Sequence, residues 1–140
     1  MIYFKITKFN PAEIPKAITK LKINACHIDD LLAIELAATL RFRKSLTHLS
    51  ITYSDLTDQG LIPIIDAINE SGNLTVLDVT GNLITERGMK YLYQSLPVAN
   101  LKSLSLANNH IRIPKEYRKE LLMSNVDLFG NICPGWYTRF

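Results

Sequence analysis

One eleven-residue phrase occurs three times between Leu46 and Ile111, and this repetition constrains the fold more than any other property of the chain. The copies are Leu46-Thr-His-Leu49-Ser-Ile51-Thr-Tyr-Ser54-Asp-Leu56, Leu74-Thr-Val-Leu77-Asp-Val79-Thr-Gly-Asn82-Leu-Ile84 and Leu101-Lys-Ser-Leu104-Ser-Leu106-Ala-Asn-Asn109-His-Ile111. They start 28 and then 27 residues apart. Each fits L-x-x-L-x-L-x-x-N/C-x-L, in which the alternating apolar residues predict a strand and the polar residue after them a sharp turn. The residues between copies suffice for a helical return. No single strand-helix unit can bury both of its apolar faces, so the units must stack and their strands must join into one parallel sheet.

The pattern extends in both directions. Ile18-Thr-Lys-Leu21-Lys-Ile23-Asn-Ala-Cys26-His-Ile28 lies 28 residues before Leu46. A last strand begins at Met123, only 22 residues after Leu101, and Val126-Asp-Leu128-Phe-Gly-Asn131-Ile-Cys133 keeps the apolar register. We therefore expect one domain over residues 1–140, with an N-terminal cap (1–17), repeats (18–122), and a last strand with its C-terminal cap (123–140). Residues 1–9 read as a short strand with Phe4 and Ile6 inward, and Asn10-Pro11 breaks it. In the tail, Trp136, Tyr137 and Phe140 are expected to fold over the last coil.

The helical returns carry their own punctuation. Asp29-Asp30, Thr57 and Thr85 stand where N-caps belong, and Pro63 is expected near a helix start. Leu32, Ile34, Leu36, Ala37 and Leu40 are expected to form the buried stripe of the first helix, and Arg41-Phe-Arg-Lys44 to complement the dipole at its end. Gly60 and Gly88 occupy one equivalent position, where a missing side chain lets neighbouring coils approach. Ser71-Gly-Asn73 and Pro97-Val-Ala-Asn100 read as turns. At the strand exits Cys26, Ser54, Asn82, Asn109 and Asn131 form an inward-pointing turn ladder, placed to satisfy turn backbone that would otherwise be buried unpaired.

The 28-residue period, the helical returns and the L-T/I-x-x-G-L/M segments resemble the ribonuclease-inhibitor-like class of leucine-rich repeats. That class includes the sensing regions of NOD-like receptors, and several effectors of intracellular bacteria look similar. The resemblance covers about residues 18–133 and departs from the pattern in the truncated terminal units and in Ser54, which stands for Asn or Cys. It implies a right-handed α/β solenoid, a short horseshoe with a concave parallel sheet, convex helices and capped ends. It also implies a non-enzymatic protein-interaction module, with an effector acting on a host protein as one setting.

Composition excludes several classes. No segment reaches the roughly 18 apolar residues of a membrane span, and the start has no signal-peptide core. Cys26 and Cys133 fall at opposite ends of the stack, so they are read as separate thiols in a reducing, cytosolic setting. The net charge of +3 hides an acidic middle: residues 1–44 sum to +4, residues 45–86 to −6 and residues 87–140 to +5. A nucleic-acid track wants uniform positive charge, so a nucleic-acid partner is disfavoured. No catalytic set, cofactor motif or metal-ligand spacing occurs around His27, His48 and His110.

The expected binding surface is the concave face, whose side chains the core does not use. Partner contacts are assigned to Lys20, Lys22, His48, Ser50, Thr52 and Tyr53, then to Asp78, Ser105, Asn108, Asp127 and Phe129. Asn24, Val76, Thr80, Ser103 and Asn125 complete the face. Tyr53 and Phe129 are the expected anchors, with His48 beside Tyr53. Two alternatives stand: a single-stranded nucleic-acid binder using Lys5, Lys8, Lys20, Lys22 and Tyr3, and a regulatory or sensor fragment of a larger protein. The chain is expected to be a monomer, or a weak dimer through its terminal strand.

Overall fold

A computed structural model describes residues 2–5, 9–97, 100–113 and 126–131. Six strands appear among them: β1 (Ile2–Lys5), β2 (Lys20–Asn24), β3 (His48–Thr52), β4 (Val76–Asp78), β5 (Ser103–Ser105) and β6 (Val126–Asp127). They form one parallel sheet in chain order. Parallel neighbours need a crossover, and among the described residues three are helical: α1 (Asp30–Leu40), α2 (Asp58–Ser71) and α3 (Glu86–Ser95). Between β1 and β2 the described residues include a 3-10 turn, Pro11–Glu13, capped by the Asn10 side chain. The right-handed horseshoe of leucine-rich repeats is the architecture these elements build. Met123 to Asn125, the 114–122 segment and the C-terminal cap, including Cys133, lie outside the described residues.

The registers agree with the repeat alignment. Leu21, Leu49, Leu77 and Leu104 stand side by side on successive strands, and Ile23 pairs with Ile51. All are buried, with Ile23, Leu49, Ile51 and Leu77 fully so. Burying such a side chain stabilises by about 2 kcal/mol, and stacking repeats this in every coil. The backbone of Phe4 pairs with Ile23, the inward column; Ile6 is outside the described residues.

The helices are capped as expected, with three corrections. Asp29, Thr57 and Thr85 accept from the backbone N–H of Leu32, Gly60 and Arg87. Gly72, at φ 81°, ends α2 in the left-handed conformation. In α1, however, the buried side is Ala33, Leu36, Ala37 and Leu40, whereas Ile34 is 53% exposed. The close approach of α2 decides this: a Cβ at Gly60 would lie 3.1 Å from the Ala33 Cβ, space too narrow for an isoleucine. Pro63 sits inside α2, in its second turn. Its missing N–H leaves the carbonyl of exposed Gln59 to water, which makes the position tolerable. The basic segment after α1 is anchored sideways: Arg41 caps the helix and meets Glu70 of α2 at 3.2 Å, and Arg43 donates to the Ile14 carbonyl at 2.9 Å.

Candidate concave interaction surface

The turn ladder holds the strand exits by direct hydrogen bonds between coils. The Asn82 Oδ1 accepts from the Ser54 and Leu56 N–H groups at 3.0 and 3.1 Å. Its Nδ2 donates to the carbonyls of Ile51 and Val79 at 2.7 and 2.9 Å. Asn109 repeats this one coil on, accepting from Ile84 and donating to Val79 and Leu106. Asn131 accepts from Ile111 and donates to Leu106. Ser54, too short to span two coils both ways, accepts from the Cys26 N–H and donates to the Thr52 carbonyl. Cys26 is a buried free thiol whose Sγ approaches the Asn24 carbonyl at 3.6 Å.

Immediately before each ladder residue the backbone turns left-handed. Ala25, Tyr53, Gly81, Asn108 and Gly130 all have φ between 51° and 85°. The first four donate their N–H to the carbonyls of Thr52, Thr80, Ala107 and Phe129 in the following coil. For a non-glycine residue this conformation costs about 1 kcal/mol or more, so the stacked hydrogen bonds must enforce it. Glycine at alternate coils makes room: a Cβ at Gly81 would fall 2.3 Å from the Tyr53 ring, and one at Gly130 would fall 2.0 Å from the Asn108 Oδ1.

Over this frame the concave side chains line up in columns. Lys20, His48, Val76 and Ser103 form one, at the strand starts. Lys22, Ser50, Asp78, Ser105 and Asp127 form the next, at mid-sheet. Lys20, Lys22, Ser103 and Asp127 are exposed; His48, Ser50, Asp78 and Ser105 are half-buried. Ser50 lies between Lys22 and Asp78, its hydroxyl shielded and without a hydrogen-bond partner among the described residues.

Several expected site residues are placed differently. His48 opens β3 and Tyr53 follows its end, so a five-residue strand, roughly 16 Å, separates two groups expected side by side. Tyr53 and Asn108 stand on the turn rather than on the sheet face. Tyr53 and Phe129, 56% and 69% exposed, belong to β3 and β6 coils three strands apart, roughly 14 Å, and make no single aromatic patch. Thr52 is only 8% exposed and gives its hydroxyl to the Asn24 Oδ1 at 2.7 Å. Asn125 lies outside the described residues.

The mid-sheet column is also less free than its exposure implies. Asp78 accepts from the Thr80 N–H at 3.0 Å, Ser105 from Ala107 at 3.4 Å and Asp127 from Phe129 at 3.0 Å. Each closes a two-residue turn that guides the chain off its strand. Thr80 links two coils through a 2.8 Å contact with the Ser105 hydroxyl.

A further row went unread in the sequence. The first residue of each helix is acidic and reaches the next coil: Asp30 accepts from the Thr57 hydroxyl at 2.8 Å, and Asp58 accepts from both the N–H and the hydroxyl of Thr85. Glu86 accepts from the Arg112 N–H at 3.2 Å. Gly88 is required beneath it, because a Cβ there would lie 2.3 Å from the Asp58 Oδ1. The signal was present as an acid after each cap (Asp29-Asp30, Thr57-Asp58, Thr85-Glu86). At the turn rim His27 and Asp55 pair at 2.9 Å, both well exposed, which gives little stability. Among the described residues no His/Cys/Asp/Glu group could hold a metal ion, and no helix is long and apolar enough to cross a membrane.

Family models described as Leucine Rich Repeat match residues 44–64, 71–92 and 100–137. The chain belongs to the leucine-rich-repeat family. A relative in Mus musculus, "NACHT, LRR and PYD domains-containing protein 4E", is 33% identical over 100 residues. The match covers 69% of this chain but only 10% of that protein, so the chain spans about a tenth of the relative's length. Membership of the family places this chain in a class of protein-interaction modules.

Proposed function

We propose that the chain is a non-enzymatic module that holds a folded protein partner on its concave sheet face, in the cytosol. One observation carries this reading: the column Lys22, Ser50, Asp78, Ser105, Asp127 changes charge from coil to coil, while the inward column beside it repeats leucine from β2 to β5 and ends in Val126. A surface of alternating cation, hydroxyl and carboxylate matches the mixed charge of a folded protein. Lys20 and Lys22 begin a basic track, but Asp78 and Asp127 interrupt it, which disfavours a nucleic-acid phosphate backbone. Tyr53 and Phe129 would then contact the partner separately, at two points of the rim.

The mouse relative, of which the match covers a tenth, favours one setting, a repeat segment working inside a larger multidomain protein. A bacterial effector delivered into a host cytosol would use the same face. Affinity capture from cytosol, with nuclease added, tests the reading with Ser50→Arg/Ser105→Arg beside the parent and an Arg87→Glu convex control. A protein retained by parent and control, and lost in the concave variant, is the expected result. Equal capture by all three, or capture lost with Arg87→Glu alone, would refute it.

A further inference from the structure

We draw no further inference here: the strongest candidate, the exposed apolar stripe of Leu31, Ile34, Ala38 and Phe42 on the outer face of α1, carries none, because nothing in the structure shows what covers it.

Discussion

The turn ladder and the mid-sheet column run side by side through the same coils, yet they use sequence in opposite ways. Along the ladder, Asn82, Asn109 and Asn131 each accept from a turn N–H of the preceding coil and donate to its carbonyl groups. Along the column, Lys22, Ser50, Asp78, Ser105 and Asp127 share only a position. Buried turn backbone presents the same unmet groups in every coil, so the answer must repeat. A solvated sheet face sets no such requirement, so the side chains there can answer to something outside the molecule. The distinction is not absolute, because Asp78, Ser105 and Asp127 also close the strand-exit turns.

The sharpest way to break the contrast is Asn82→Leu. It leaves the N–H groups of Ser54 and Leu56 and the Ile51 carbonyl without their partner, at about 1–3 kcal/mol each. The expected loss is about 4 kcal/mol, or roughly 12 °C in Tm for a chain of this size; a melt within about 1 °C of the parent would refute the register. Gly88→Ala comes next. Its Cβ would displace Asp58 from Thr85, at an expected cost of about 2 kcal/mol in denaturant unfolding. Thr57→Ala removes one N-cap oxygen and one bond to Asp30, and should cost about 1 kcal/mol.

The smallest effect is a pH slope. The Tyr91 hydroxyl donates to the Asp66 carboxylate at 2.6 Å, and that bond raises its pKa above 10.0 in the folded chain. The contribution is fully present below the unfolded pKa and fades as pH rises through the folded one. Tyr91→Phe should therefore differ from the parent in stability at pH 8 and lose that difference above pH 10. A difference constant with pH would remove the bond from the account.

Leucine spacing revealed the strands, their register and the turn ladder because each rests on a side chain that recurs at a fixed offset. The N-caps were legible for the same reason. The phase of α1 was not, since Ala33 and Ile34 are equally apolar on paper and only the closeness of α2 at Gly60 separates them. The left-handed row was half visible, as Gly81, Asn108 and Gly130, and obscured by Ala25 and Tyr53, which adopt that conformation against their preference. On the concave face alternation identified which residues point outward. It could not show that Tyr53 sits past the strand end, because that depends on where each ladder stops.

A wholesale exchange of the mid-sheet column tests the central claim most directly. Lys22, Ser50, Ser105 and Asp127, all replaced by threonine, would keep strand preference and a hydroxyl for the exit turns while leaving Asp78 the single charge among the five. The thermal melt of this fourfold variant should stay within about 3 °C of the parent, because the fold draws on the ladder and the inward leucines. A fall of roughly 12 °C or more, as large as that expected for Asn82→Leu alone, would show that the concave column belongs to the frame and is not free to serve a partner.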